Sequence, residues 1–326
     1  MPLDEVLVDA LAGSNTLVAT GVDRRLLPAV LRAHERTIEE VAERPGATGD
    51  PSETAADQNE VAWQLCVPMP IVEDLGRSFV LGTALATYTE SGTIRLATST
   101  ASTEGELVER TLFITDGTVY AVAGTDDDRT LVESAEAPVV RELREAARTR
   151  LDECASTGVA MPGRDRLYRS ARESLCRWVA ADLEDALDGL EPGALDRTRA
   201  VTDRTLLLAL GARHDHLFQD VRTWAESVGI APRQTFTVDR RMLVAHGLIE
   251  EVKVPMGVGH PNYRLRAIDE GLLTLPPERL LAYLRDRLDG VDRDAFDGPD
   301  ATDRYLGAKR RRRDADRPVW ERKRRR

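Results

Sequence analysis

Apolar residues recur along this chain in two rhythms, and the change from one to the other divides it. Over roughly the first 157 residues, short apolar runs alternate with helical stripes. Leu3 to Leu11 predicts a short helix, and Thr16 to Ala19 a buried strand ending at Gly21. Asp23 stands where a side-chain oxygen can cap a helix carrying Leu26, Leu27, Val30, Leu31, Ile38 and Val41. Pro45 to Asp57 is polar and rich in breakers, and reads as a loop. Val61 to Val67 is the next strand, closed by Pro68 and Pro70. A helix through Val72, Leu75, Phe79, Val80 and Leu85 follows, then a strand at Thr93 to Thr98. Strand, helix, strand, helix, strand is the pattern of an α/β domain with a mostly parallel sheet. A hairpin is added where Val108 to Ile114 and Thr118 to Ala123 flank Asp116-Gly117. Asp126-Asp127-Asp128 reads as a solvated loop, because it lacks the spacing and closing glutamate of a calcium loop. Pro138 to Cys154 is an amphipathic helix, and Gly158 to Gly163 breaks the chain.

Beyond that break the period is helical. Asp165 to Leu187 predicts one long helix, with Leu167, Ala171, Leu175, Val179, Leu183 and Leu187 at four-residue intervals. Glu191-Pro192-Gly193 marks a boundary. From Asp203 to Ala267 three short helices precede a β-ribbon. Leu206, Leu207, Leu208 and Leu210 mark the first helix, and Leu217, Phe218, Val221, Trp224, Ala225 and Val228 the second. Gly229 stops the second, and the third runs from about Pro232 to His246 with Phe236, Met242 and Leu243 inward. Gly247 ends it. Ile249 to Val254 alternates, Val252 and Val254 on one face and Glu251 and Lys253 on the other. Gly257, Gly259 and Pro261 make the turn, and Tyr263 to Arg266 alternates back. This order predicts a winged helix-turn-helix, whose third helix suits the major groove of DNA.

Pro276 opens a further helix with Leu280, Leu281, Leu284 and Leu288 on one side; that stripe either covers the module's own core or pairs with a second copy. Asp289 to Asp303 is rich in Asp and Gly and reads as disordered, and Lys309 to Arg313 with Arg322 to Arg326 form a low-complexity basic tail. The expected organisation is an α/β sensor over residues 1–157, a long helix and linker over 158–200, the winged helix-turn-helix over 201–290 and a tail over 291–326.

Charge sharpens this picture. The net charge is −11 over 326 residues, with only three lysines, Lys253, Lys309 and Lys323. An Asp-rich, Lys-poor chain suits a cytoplasm at molar salt, as in haloarchaea, where self-repulsion is screened over about 3 Å; a GC-rich genome also favours Arg over Lys. Residues 230–268 nevertheless hold six basic and three acidic side chains. A surface meant for phosphates needs such a local excess, and a protein-binding module does not. No apolar run approaches the ~20 residues that span a bilayer, so no membrane association is expected and a cytoplasmic protein is. Cys66, Cys154 and Cys176 are odd in number and far apart, which points to reduced, buried thiols.

Catalytic signatures are missing: there is no Walker loop, no G-x-G-x-x-G after the first strand and no G-x-S-x-G elbow. Non-enzymatic action without cofactor or metal is the expectation. His214-Asp215-His216 reads as an inter-helix turn with solvated imidazoles, since i and i+2 do not share a helix face. A ligand cleft is expected at the carboxyl ends of the strands, near Thr20-Gly21-Val22-Asp23 and Val67-Pro68.

With Leu217 to Ile230, Thr235-Phe236-Thr237, Gly247 to Pro261 and Tyr263-Arg264-Leu265 in view, the chain resembles the TbsP-type transcriptional regulators of haloarchaea over about residues 1–290. The basic tail departs from that pattern. The resemblance implies a DNA-binding regulator of metabolic genes, responsive to a metabolite. It also places the chain near the sugar-sensing TrmB regulators, whose sensor is similar to a phospholipase D-like domain; the H-x-K-x-x-x-x-D motif of that enzyme is absent. The expected partners are double-stranded DNA and a second copy in a homodimer. Arg233, Gln234, Thr235, Thr237 and Arg241 are the candidates for the groove, with Arg240 for a base or a phosphate. Lys253, His260, Asn262 and Arg264 are the candidates for the backbone or minor groove. The alternative is a winged module that binds a protein of the transcription machinery.

Overall fold

The computed structural model describes residues 2–43, 61–75, 78–99, 111–125, 128–189, 201–255 and 262–297. The loop expected at 45–57, most of the acidic loop, the wing turn at 257–261 with His260, and the basic tail lie outside these residues. The chain divides into two compact units, Met1–Gly163 and Arg164–Arg326.

In the first unit, strict alternation gives each strand two different faces. Strands β1 (Thr16–Thr20), β2 (Ala62–Pro68) and β3 (Ile94–Ser99) are parallel neighbours. Helix α2 (Leu27–Ala42) crosses from β1 to β2. Helices α3 (Met69–Leu75) and α4 (Phe79–Glu90) cross from β2 to β3. Leu17, Ala19, Trp63, Leu65, Val67, Ile94 and Leu96 meet these helices and α1 (Leu3–Leu11) in one buried layer. Val18, Cys66 and Ala97 face the other way, against Val140, Ala147 and Leu151 of α5 (Ala137–Glu153). The expected hairpin forms as β4 (Leu112–Ile114) and β5 (Val119–Thr125), with β4 antiparallel to β1.

Three features depart from the sequence reading. The helix expected from Val72 to Leu85 is two helices, because Ser78 is extended and its N–H bonds back to the Leu75 carbonyl. Gly82 lets the two lie close, since a Cβ there would sit 2.3 Å from the Leu75 oxygen. A further strand, β6 (Asp128–Ser134), pairs with β5, and a two-residue β7 (Ala155–Ser156) pairs with β3. Their charged or very short sequences carry no apolar alternation. The sheet is therefore mixed, in the order β6-β5-β4-β1-β2-β3-β7 around its parallel centre.

The second unit opens with α6 (Arg164–Ser174) and α7 (Arg177–Asp188), not one long helix. Leucine spacing runs straight through the break. Cys176 is fully extended, and its sulfur accepts from the Val179 N–H and so restarts the helix. Next come α8 (Asp203–Arg213), α9 (Phe218–Ser227) and α10 (Phe236–Ala245), then β8 (Ile249–Val254) paired with β9 (Asn262–Ala267). Thr202 and Thr205 form a reciprocal cap at the start of α8. Gly229 and Gly247, at φ 83° and 84°, end α9 and α10 in the left-handed conformation that glycine tolerates best. Leu217 bridges Arg264, and the Leu265 N–H donates to the His216 carbonyl at 2.8 Å, so the α8–α9 turn docks on the ribbon.

The expected solvated imidazoles are both engaged. His214 Nε2 lies 2.8 Å from Asp182 Oδ2, and His216 Nε2 lies 3.1 Å from the Cys176 sulfur, so this turn is fastened to α7. Behind the ribbon, α11 (Glu270–Thr274) leads to α12 (Leu280–Arg287). Leu280, Leu281, Leu284 and Leu288 are all buried within the unit, which resolves their two readings in favour of core covering. The segment from Asp289 to Asp297, expected to be disordered, is ordered: Arg293–Phe296 forms a 3-10 turn against α10, with Phe296 buried. The remainder of that stretch, 298–303, lies outside the described residues.

Candidate nucleic-acid interface

Helix α10 shows little of its surface. Phe236, Met242 and Leu243 are fully buried, as expected, and Val238, Asp239 and Val244 are also enclosed. What remains open is the approach to the helix and one narrow face. A 3-10 turn over Arg233–Thr235 precedes the α-helix, so the third helix starts later and more tightly than its sequence predicts. Arg233 and Gln234 are exposed there, while Thr237 and Arg241 are half-buried. The Thr235 hydroxyl donates to the Pro232 carbonyl at 2.7 Å and closes the turn. The Arg233 guanidinium rests 2.5 Å from Glu226 at the end of α9, with 47% of its side chain exposed.

The two adjacent arginines of α10 behave differently from these. Arg240 stands over the rings of Phe218, at 4.5 Å, and Tyr263, at 5.8 Å, and its guanidinium lies 3.1 Å from Glu251. Only 15% of the Arg240 side chain and 1% of the Glu251 side chain remain exposed. This is the geometry of a clamp between α9, α10 and the ribbon, and it takes Arg240 away from the base-reading set. Arg241 Nη1 donates to the Phe296 carbonyl at 3.3 Å.

Beneath them, Asp239 is completely buried and accepts from four side chains. Thr205 and Thr202 reach Oδ1 at 2.7 and 3.0 Å, and Arg293 and Arg204 reach Oδ2 at 2.8 and 3.1 Å. Burial alone would raise this carboxyl's pKa. The hydrogen bond from Arg293 and the charges of Arg204 and Arg293 outweigh it and hold the pKa below the ordinary carboxylate range. One buried carboxylate thus joins α8, α10 and the terminal 3-10 turn.

One residue absent from the sequence candidates belongs to this surface. Arg222 of α9 lies over the Phe218 ring at 5.1 Å, and its Nε donates to Gln219 Oε1 at 2.8 Å. Partial burial and the like charges of Arg240 and Arg233 lower its proton affinity. Guanidinium groups crowded in this way favour the arrival of an anion. The sequence signal was the polar Gln219-x-x-Arg222-Thr223 set between the apolar positions of α9.

On the ribbon, Ile249, Glu251 and Lys253 share a face with Ala267, Leu265 and Tyr263, and Val252 and Val254 share the opposite face with Arg264 and Asn262. The expected alternation is present, yet it is the face carrying Glu251 that turns inward, drawn by Arg240. Lys253 and Arg264 are exposed, Asn262 is half-buried, and the two basic residues stand on opposite faces of the ribbon.

In the first unit, polar contacts tie together the end of β1 where the ligand cleft is expected. The Asp23 carboxylate caps the Arg25 and Leu26 N–H groups and pairs with Arg129, and the Gly21 carbonyl accepts from Thr111 at 2.7 Å. A cleft of about 590 Å³ lies beside the Asp116-Gly117 turn, at the other end of β1, where Thr16 Oγ1 donates to Asp116 at 2.5 Å. Arg141, Arg144 and Arg148 of α5 line it.

A family model for the N-terminal domain of TbsP-like transcriptional regulators matches residues 14–162, and a model for their C-terminal helix-turn-helix domain matches residues 163–285. The seam between the matches coincides with the boundary between the two compact units. No curated protein and no solved structure matches the chain. No described helix is long and apolar enough to cross a membrane.

Proposed function

The chain belongs to the TbsP-like transcriptional regulators, and we propose that it reads double-stranded DNA as a homodimer, from the entry of α10, to control metabolic genes. Arg233, Gln234, Thr237 and Arg241 approach base edges in the major groove. A bidentate Arg–guanine or Gln–adenine contact contributes about 1–3 kcal/mol of discrimination. Arg222 joins them as a phosphate ligand, and Lys253, His260, Asn262 and Arg264 hold the backbone from the wing. At molar salt, phosphate contacts lose most of their strength and base contacts carry the selectivity.

The observation that carries this reading is the helix-turn-helix and ribbon itself, matched by the family model, with Arg233 and Gln234 exposed at the entry of α10 in a chain of net charge −11. The cleft beside α5, lined by Arg141, Arg144 and Arg148 together with Asp116, Glu145 and Asp152, is the candidate site for a metabolite effector. Selection from a random duplex pool at molar KCl tests the function, with a motif of two half-sites as the expected result. No enrichment by folded protein would move the assignment to a protein partner of the winged module.

A further inference from the structure

Three widely spaced cysteines give no pairing motif, yet the fold brings two of them together. Cys66 Sγ and Cys154 Sγ lie 3.2 Å apart, and neither is in a disulfide. Cys66 sits in β2 on the sheet face that α5 covers, while Cys154 closes α5 in an extended conformation just before β7. The sheet fixes both backbones, since Cys66 is in register with Ala97 and Ala155 with Thr98. Cys66 is buried and Cys154 half-buried, which makes Cys154 the more accessible of the two. A disulfide needs an S–S distance of about 2.05 Å. Side-chain rotation at Cys154, at the end of a helix, supplies the remaining approach of about 1 Å.

We propose that Cys66 and Cys154 form a redox site whose co-substrate is a hydroperoxide. The Cys154 thiolate attacks the terminal peroxide oxygen. The O–O bond breaks, the alcohol leaves with a proton, and Cys154 becomes a sulfenic acid. The Cys66 sulfur then attacks the Cys154 sulfur: the S–S bond forms, the S–O bond breaks, and the departing hydroxide takes the Cys66 proton as water. Two thiols give up two electrons and two protons, and the peroxide is reduced to alcohol and water. The product ties the end of α5 to β2 across a sequence separation of 88 residues. Because α5 also carries Arg141, Arg144 and Arg148, the same bond fixes one wall of the cleft. Cys176 stands outside this site: it caps α7, and its sulfur lies against His216 Nε2.

The test treats the full chain with hydrogen peroxide, blocks remaining thiols after denaturation, and maps unreduced peptides by mass spectrometry. A Cys66–Cys154 linked pair is expected, two hydrogens lighter and reversed by dithiothreitol, with Cys176 recovered as a blocked thiol. Oxidation should raise the Tm of the N-terminal unit by an amount on the order of 10 °C, because the unfolded chain is cross-linked across a long loop. Cys66→Ser should leave a sulfenic acid at Cys154 that dimedone traps, and Cys154→Ser should leave Cys66 reduced at the same dose. The linked peptide from the unmutated chain decides the matter should either variant misfold. Recovery of Cys66 and Cys154 as thiols from oxidised, folded protein, or linkage of either one to Cys176, would overturn the proposal.

Discussion

The two units enclose polar groups in opposite ways. Among the described residues, the buried polar side chains of the N-terminal unit are seven hydroxyls and His34, with no buried carboxylate. Its ion pairs Arg24–Asp74 and Arg36–Asp9 are about half exposed. The winged unit instead places two carboxylates, Asp239 and Glu251, out of solvent beneath and beside α10, each against guanidinium groups. A sheet covered on both faces is oriented by apolar area alone. A ten-residue helix that must present one narrow face has less area to use. Directional contacts at Asp239 and Glu251 fix its rotation about its own axis, while burying them adds little net stability.

This contrast can be broken from either side, and Asp239→Asn should have the largest effect. It keeps the shape but removes the buried charge that Arg204 and Arg293 share, and should destabilise the winged unit by roughly 3–5 kcal/mol. Denaturant unfolding followed at Trp224 would measure it, with the N-terminal transition unmoved. The depressed pKa of Asp239 gives the sign of its pH dependence. The stabilisation is present above the unfolded value of 3.8 and is lost as pH falls through the lower folded value, so mutant and wild type should converge in strong acid.

His34 supplies the counterpart in the N-terminal unit. Burial between Trp63 and Tyr88 lowers its pKa from 6.5 to about 4. Between those values the unfolded chain binds a proton that the folded one refuses. Stability should therefore fall as pH drops from 6.5 to 4, by roughly 3 kcal/mol in all. His34→Phe should flatten that slope; a slope that survives the substitution would remove His34 as its source.

Effects on binding should be smaller. Arg222→Ala should weaken every duplex by about tenfold or less and reduce the salt slope by about one, without altering base preference. Smallest of all, Arg36→Ala should change N-terminal stability by less than about 1 kcal/mol, because its pair with Asp9 is exposed.

The same contrast explains what could be read from the residues. Apolar periodicity located α1, β1, β2, β3, α5 and the helices and ribbon of the winged unit, since in each the buried face is written in Leu, Val and Ile. It could not place β6, whose Arg129 and Glu133 carry no apolar face, or the break at Cys176, where a sulfur rather than a proline or glycine interrupts the leucine stripe. The exposure of Arg233 and Gln234 was legible, because they stand ahead of Phe236, the first inward residue of α10. It was illegible at Arg240, Asp239 and Arg293, because a charged residue announces exposure until its partner is known. Those partners are 11, 34 to 37, and 54 positions away in sequence. The closeness of Cys66 and Cys154 was illegible for the same reason, being a product of sheet register.

The most direct test compares three selections from one random DNA pool at molar KCl, using the wild-type chain, Gln234→Ala and Lys253→Ala. The wild type should recover a motif of two half-sites. Gln234→Ala should lose preference at one position in each half-site, and Lys253→Ala should recover the same motif at lower affinity. An unchanged motif for Gln234→Ala, or no motif from folded wild-type protein, would contradict reading from the entry of α10.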